Sequence, residues 1–114
     1  MIYNLGSGHE WELDEDLWQL RRRGERVSIQ PKVLALLFHL ARNRERVVAG
    51  KELLRELWPD EVVTSSSLAR AISLARAALG DRGSRDHLIQ TVTRRGYRLR
   101  RIGRISAISP REFR

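Results

Sequence analysis

The sequence predicts an α+β fold in which a small antiparallel sheet is followed by three helices and a C-terminal β-hairpin. Apolar and polar residues alternate within residues 11–20, which is typical of strands. Apolar residues then recur at helical spacing between residues 31 and 79, and alternation returns on both sides of a turn at residues 93–96. A chain of 114 residues is long enough for one domain with one modest core.

The first thirty residues are predicted to form a meander of short strands. Residues 11–13 and 18–20 alternate around an acidic turn, residues 26–29 alternate again, and residues 2–4 are expected to add an edge strand. The basic triplet at residues 21–23 is interpreted as a solvated turn. The predicted packed face of the sheet consists of Trp11, Leu13, Trp18, Leu20, Val27 and Ile29.

Two helices are predicted next. Pro31 suits the first turn of a helix that ends near Asn43, and His39 within it is interpreted as a partly buried packing residue. A second helix over residues 51–58 begins near Ala49, a poor capping residue, and is closed by Pro59. The core stripe of the first helix is predicted to be Val33, Leu36, Leu37, Leu40 and Ala41.

A third helix is predicted over residues 65–79, with Ser65 as its N-cap and Gly80 as its end. Its length of roughly 24 Å would fit along a major groove of DNA. The apolar stripe consists of Leu68, Ile72, Ala75 and Leu79. The opposite face lacks acids and carries Ser66, Arg70, Ser73, Leu74 and Ala77, flanked by Arg76. Taken alone, this face also fits an ordinary solvated helix.

A hairpin is predicted from two strands, residues 88–92 and 97–99, with a tip of sequence Thr-Arg-Arg-Gly at residues 93–96. Directly after a helix-turn-helix pair, such a hairpin is a wing. Its arginines fit a narrow minor groove, although an exposed turn with incidental charge has the same sequence pattern. The whole is therefore predicted to be a winged helix-turn-helix.

The net charge of +8 is distributed unevenly along the chain. Residues 1–63 carry a net −1, from 11 acids and 10 bases, whereas residues 64–114 carry +9, from 3 acids and 12 arginines. This asymmetry indicates a polyanionic partner, with nucleic acid ahead of an anionic membrane. A GC-rich genome would explain 20 arginines against 2 lysines, but not their distribution.

In this order, the segments resemble the winged-helix DNA-binding domain of OmpR/PhoB-type response regulators. The resemblance covers about residues 3–101, so a domain over residues 1–101 and a tail or linker start over residues 102–114 are expected. The segments that carry it are Val-Ser-Ile-Gln-Pro-Lys at 27–32, Arg-Val-Val-Ala-Gly-Lys-Glu-Leu-Leu at 46–54, Leu-Trp at 57–58, residues 67–80, and Ile-Gln-Thr-Val-Thr-Arg-Arg-Gly-Tyr at 89–97.

The resemblance implies binding of double-stranded DNA, with the helix at 65–79 in the major groove and the wing at 92–97 at the minor groove. It also implies head-to-tail pairs on direct repeats and contact with RNA polymerase. Carried over by position, base edges are assigned to Arg70, Ser73 and Leu74, the DNA backbone to Ser66, Ser67 and Arg76, the wing tip to Thr93, Arg94 and Arg95, and the hairpin base to Tyr97.

Three departures qualify the resemblance. No receiver domain precedes the winged helix in this sequence, and the tip lacks the Arg-Gly-x-Gly pattern of two-component members. Both features are similar to the one-component ToxR/CadC-like branch. The small residues Ala71 and Ser73 stand where many relatives carry longer polar side chains, so direct readout is expected to depend chiefly on Arg70.

Two function hypotheses follow. The first is a sequence-specific transcriptional regulator; the alternative is a winged-helix protein-interaction module with only non-specific DNA affinity, in which Leu74 would contact the partner. An enzyme is not predicted, because His9, His39 and His87 lack catalytic or metal-ligand neighbours, and no cofactor is expected. Without a signal peptide or membrane-spanning apolar run, the expected location is cytoplasmic.

Overall fold

The computed structural model describes residues 1–6, 8, 10–81 and 88–106. Within them, the strands form a five-stranded antiparallel sheet and a separate two-stranded hairpin. This arrangement confirms the predicted α+β fold. The elements in chain order are β1 Ile2–Leu5, β2 Trp11–Asp14, β3 Gln19–Arg22, β4 Glu25–Val27, α1 Pro31–Arg42, α2 Gly50–Leu57, α3 Ser65–Ala78, β5 Ile89–Val92, β6 Gly96–Leu99 and β7 Ile102–Ser106.

Helix α1 lies at the centre of the core and contacts α2, α3 and β6. Its predicted core stripe is confirmed, because all five of those side chains are buried. Pro31 occupies its first turn, where the missing N–H leaves no helical bond unmade, and Asn43 caps its C-terminal end. The central position of α1 gives the other helices and the hairpin a common apolar surface to pack against.

The ends of the other two helices agree closely with their sequence signals. Ala49 precedes α2 and makes no side-chain capping bond, as its methyl group dictates. The N-cap of α3 is Thr64 rather than the predicted Ser65, and it makes no side-chain capping bond either. Gly80 adopts a φ of 65° just beyond α3, a left-handed conformation that ends the helix at little steric cost.

The N-terminal sheet differs from its prediction at two places. Strand β1 is not an edge strand, because it lies between β2 and β7. Trp18 does not join the packed face; its backbone has a φ of 51° and its side chain is 44% exposed. Its indole ring instead stacks on Phe38 with 4.3 Å between ring centroids. The left-handed turn residue interrupts the strand alternation on which the prediction depended.

Arg21 is a further difference, because it is buried rather than part of a solvated turn. It lies within β3 opposite Glu12, and only 2% of the residue is exposed. Its Nη1 atom donates to Oδ2 of the fully buried Asp14 at 2.7 Å, and its Nε atom donates to Glu12 at 3.4 Å. A buried arginine requires such partners to offset its lost hydration. The turn itself begins only at Arg23, whose φ is 49°.

The predicted tail from residue 102 is replaced, in its first part, by strand β7. This strand pairs antiparallel with β1, with Tyr3 opposite Ile105. The pairing satisfies backbone N–H and C=O groups of β1 that would otherwise form an open sheet edge. The remainder of the predicted tail, residues 107–114, and the predicted loop at 82–86 lie outside the described residues.

A polar cluster connects α1 to the start of α2. His39 is partly buried, as predicted, and its Nε2 atom lies 2.7 Å from Oε2 of Glu52. Arg46 donates from both terminal nitrogens to the same carboxylate, at 3.0 and 2.7 Å. The hydrogen bonds from Arg46 and then His39 lower the pKa of Glu52 from 4.5 to about 2.

This shift predicts a pH-dependent contribution to stability. A lowered folded-state pKa means that Glu52 stabilises the fold above about pH 4.5, and that this contribution is lost as the pH falls towards 2. We expect Glu52→Gln to lower the free energy of unfolding by about 1 kcal/mol at pH 7, because the pair is near the surface. The difference from wild type should shrink on acidification in urea unfolding experiments between pH 3 and 7.

The matched control is Glu56→Gln, which neutralises an exposed acid on the same helix. It should change the unfolding free energy little at any pH. A Glu52→Gln effect that stays constant from pH 3 to pH 7 would contradict the assignment.

Candidate nucleic-acid interface

Helix α3 presents an exposed face without acids. Its predicted apolar stripe is buried, and the side chains of Ser66, Arg70 and Ser73 are exposed on the other side. Ser67 is partly buried at the first turn. In the part of the chain that the structure describes, Arg70 forms no ion pair. The guanidinium group is therefore available for a ligand.

Leu74 is less accessible than the sequence suggested. It is partly buried and packs against the core, at the border of a cleft of about 230 Å³ that Trp58 and Arg70 also line. Lys32 lies over the indole ring of Trp58, with Nζ 5.5 Å from the ring centroid, and so fills part of the same region. Only part of the Leu74 side chain can reach an external partner.

Arg76 connects α3 to the hairpin. Its Nε and Nη2 atoms donate to the backbone carbonyl oxygen of Ile89 at 3.2 and 2.8 Å. Nη2 also donates to the hydroxyl of Thr91 at 2.7 Å. Arg76 was predicted to flank the exposed face near the DNA backbone; these hydrogen bonds direct its guanidinium group towards β5.

Asp81 makes a second connection between α3 and β5. It is 4% exposed, and its carboxylate oxygens accept the backbone N–H groups of Leu88 at 2.9 Å and Ile89 at 3.2 Å. The sequence predicted only a loop at this residue. An acid directly after the helix-ending Gly80 was the available signal, but its partners are seven and eight residues away and cannot be identified from local spacing.

The other strand of the hairpin is held by the segment that precedes α2. Val48 and Tyr97 exchange backbone hydrogen bonds of 2.8 and 2.9 Å. The two segments approach so closely at Gly96 that an added Cβ atom would lie 2.0 Å from the carbonyl oxygen of Val48. Gly96 also has a φ of 142°, which side-chain-bearing residues rarely adopt. Glycine is thus required at this position by both contact and conformation.

The hairpin tip carries two accessible arginines. Thr93, Arg94 and Arg95 are exposed, and neither arginine forms an ion pair with any described residue. Arg94 has a φ of 63°, which sharpens the turn. Tyr97 is partly buried at the hairpin base, where it packs against the core.

A cleft of about 440 Å³ joins the tip to the helices. It is lined by the first residues of α2 and α3, including Lys51 and Ser65, and by Arg94, Arg95 and Tyr97 from the hairpin. Lys51 was not among the predicted site residues, because residue spacing alone does not bring the first turn of α2 next to the wing. Its sequence signal was a lysine at the start of the predicted second helix.

Other kinds of site find little support in the described residues. They contain no group of three or more histidine or acidic side chains able to hold a metal ion. None of their helices has the length and apolar character needed to cross a membrane.

Three helices, an antiparallel sheet and a braced hairpin with a cationic tip define a winged-helix domain. The chain belongs to the family described as "Transcriptional regulatory protein, C terminal", which matches residues 24–99. The predicted resemblance is thereby confirmed at the level of the family.

Individual relatives agree with this assignment. The chain is 30% identical over 91 residues to the transcriptional activator CadC of Escherichia coli K12, a match covering 79% of this chain and 18% of CadC. It is 32% identical over 88 residues to the transcriptional regulatory protein AfsQ1 of Streptomyces coelicolor, covering 76% and 39%. The matched region is less than half of each of these two relatives.

Among solved structures, the DNA-binding domain of E. coli CadC is similar, with a TM-score of 0.72 and 28% identity. This match covers 87% of the present chain and 91% of the solved one.

We expect Gly96→Ala to destabilise the hairpin attachment, because the new methyl group would overlap Val48 and the φ would be strained. The strain alone costs about 1–3 kcal/mol, and the overlap should add to it. Gly24→Ala is the control, since Gly24 has a φ of 84° but open space around its Cβ position. Equal losses of unfolding free energy in the two variants, measured by urea unfolding, would contradict the close-contact explanation.

We expect Arg76→Ala to loosen the hairpin and to lower the free energy of unfolding by about 1–3 kcal/mol, because it removes charged hydrogen bonds to Ile89 and Thr91. Amide hydrogen exchange of the hairpin should accelerate. Arg70→Ala removes an exposed arginine from the same helix and should leave both measurements nearly unchanged. An unaltered hairpin exchange rate in Arg76→Ala would show that this contact does not hold the wing.

Proposed function

We propose that this chain is the sequence-specific double-stranded DNA-binding part of a transcriptional regulator. The observation that carries the proposal is the pairing of two cationic elements, the exposed face of α3 and the wing tip, through the contacts of Arg76. Membership of the family and similarity to a solved DNA-binding domain support it. The strong positive charge of the C-terminal half supplies the general attraction to phosphates.

In this proposal α3 enters the major groove and Arg70 reads base edges. An exposed guanidinium without an ion pair can bond O6 and N7 of a guanine in a bidentate manner. Ser73 lies one turn further along the helix and adds a hydrogen-bonding hydroxyl. Leu74 contributes only apolar contact at the edge of the interface, because it is partly buried. Direct readout therefore depends on few side chains.

The DNA backbone is assigned to groups around the start of α3. Ser66 and Ser67 offer hydroxyls at the N-terminal end of α3, where the helix dipole favours phosphate. Lys51 extends this surface along the cleft between the helices and the wing. Arg76 acts mainly by fixing the wing against α3, since its Nε and Nη2 atoms already have partners.

The wing is assigned to the minor groove. Thr93, Arg94 and Arg95 form the exposed tip, and arginine is attracted by the strong negative potential of a narrow minor groove. Tyr97 supports the base of the hairpin, and its hydroxyl is proposed to lie near a phosphate. This readout depends on groove shape rather than on individual base edges.

The remaining parts of the proposal come from the family. Head-to-tail pairs on direct repeats and contact with RNA polymerase are included, the domain is not an enzyme, and it acts in the cytoplasm where DNA is accessible. The alternative protein-interaction module required an outward Leu74 as its apolar anchor. Its partial burial and the absence of ion pairs at Arg70, Arg94 and Arg95 among the described residues favour DNA.

The test is fluorescence anisotropy on duplexes selected from a random pool and on scrambled controls, across a salt series. We expect a preference of about 100-fold or more for the selected sequence, or roughly 2.7 kcal/mol. Arg70→Ala should lose about 1–3 kcal/mol of discrimination at one base position. Arg94→Ala and Arg95→Ala should weaken binding to all sequences and lower the salt slope by about 1 each.

Arg26→Ala, which removes an exposed arginine from β4, is the charge-matched control and should change neither property. Equal affinity for all duplexes that disappears with salt would refute sequence-specific binding and favour the interaction module. An unchanged base preference in Arg70→Ala would show that Arg70 does not read a base. The assignment of the wing would still be tested separately, by Arg94→Ala and Arg95→Ala.

A further inference from the structure

A second cationic cleft lies at the base of the hairpin and plays no part in the proposed DNA contacts. Its volume is about 540 Å³, within the range of small-molecule sites. It is lined by Arg44, Gln90, Arg98, Arg100 and Arg101, and by parts of Leu99 and Ile102. No acidic side chain is among the described residues that line it.

The cleft lies on the side of the hairpin that faces away from α3. Gln90 and Arg98 are directly opposite each other across the two strands, and Thr91 is paired with Tyr97 at the next position. Neighbouring pairs point to opposite faces of a hairpin. Thr91 bonds Arg76 of α3, so Arg98 projects from the other face. A duplex bound to α3 is therefore not expected to fill this cleft.

The walls of the cleft are held in place before any ligand binds. Arg44 donates from Nη1 to the carbonyl oxygen of Ala41 at 3.2 Å and lies 5.8 Å from the ring centroid of Tyr3. The connection between β6 and β7 is fixed by two backbone hydrogen bonds, from Arg100 to Leu88 at 2.7 Å and from Gly6 to Arg101 at 3.1 Å. Such preorganisation reduces the entropy lost on binding.

The chemistry of the lining restricts the ligand. Guanidinium groups only donate hydrogen bonds, and their planar fork matches two oxygens of a phosphate. Among the described residues, Arg44 donates a hydrogen bond only from Nη1, so its other N–H groups can contact a ligand. Arg100 and Arg101 interact elsewhere in the protein, and ligand contact is therefore assigned to Arg44 and Arg98. Arg98 is exposed and forms no ion pair within the described part of the chain.

We propose that this cleft binds small anions that carry two or more linked phosphate groups. Two guanidinium groups on separate elements, the α1–α2 connection and β6, can each bind one phosphate of such a ligand. The site is independent of the proposed DNA interface in its residues and in the face of the hairpin that it occupies.

The test is calorimetric titration of the whole chain with inorganic pyrophosphate at moderate salt, with orthophosphate in parallel. We expect one site per chain that binds pyrophosphate at least tenfold more tightly than orthophosphate. Arg44→Ala/Arg98→Ala should weaken pyrophosphate binding at least tenfold. Arg26→Ala/Arg55→Ala removes the same charge from exposed positions outside the cleft and should stay within twofold of wild type. Arg98→Lys, which keeps charge but lacks the fork, should bind several-fold more weakly than wild type.

Three results would overturn the proposal: no binding by a folded wild type, equal weakening in the two double variants, or unchanged binding in Arg44→Ala/Arg98→Ala. A second titration, with the selected duplex, tests whether the phosphate that binds in the cleft belongs to DNA. If the duplex displaces pyrophosphate, and Arg44→Ala/Arg98→Ala weakens DNA binding as much as Arg94→Ala/Arg95→Ala does, the cleft is part of the DNA interface. Thermal melts of all variants identify any that fail to fold. If Arg44→Ala/Arg98→Ala does not fold, the pyrophosphate affinity of Arg98→Lys alone tests the proposal.

Discussion

The close contact between the hairpin and the segment before α2 is the constraint on which the cationic surface depends. Backbone hydrogen bonds join Val48 to Tyr97, and only a glycine at position 96 lets the two segments come so near. The other strand of the hairpin is held by Arg76 and Asp81, at the end of α3. Each strand is thus attached to a different part of the helical layer, so the wing tip cannot swing independently of α3. Two separate stretches of sequence become one surface of fixed geometry.

Arginine count alone does not identify that surface, because the arginines of this chain have two kinds of role. Arg21 is buried against Asp14, and Arg46 and Arg76 hold elements together through hydrogen bonds. Arg70 and Arg94, by contrast, are exposed without ion pairs among the described residues. The first group already donates hydrogen bonds to protein partners, so this group gains little from a new anion. The second group still has its donors available, and we propose that it determines where a polyanion binds.

The helices and the wing could be predicted from sequence because their signals are local. Pro31 and Gly80 mark helix ends through their own backbone geometry, and apolar spacing identifies the buried faces between them. Strand β7 and the burial of Arg21 could not be predicted in this way. The first requires the open edge of β1, about a hundred residues earlier in the chain, and the second requires Asp14 across a strand pair. The first depends on contact between segments far apart in the chain, and the second on the register of two neighbouring strands; residue spacing alone reveals neither.

The same limit applies to the interface itself. A helical projection correctly separates the buried from the outward face of α3, but it treats every outward position as equally accessible. In the structure, Leu74 is partly covered near Trp58, and Arg76 is engaged by β5. The helix then leaves Arg70 and small hydroxyl side chains exposed, and in the proposed complex these face base edges. Few direct contacts discriminate poorly between sequences, so in the proposed function the wing supplies much of the remaining specificity through groove shape. On the same proposal, the contacts that brace the hairpin contribute to sequence recognition without touching a base.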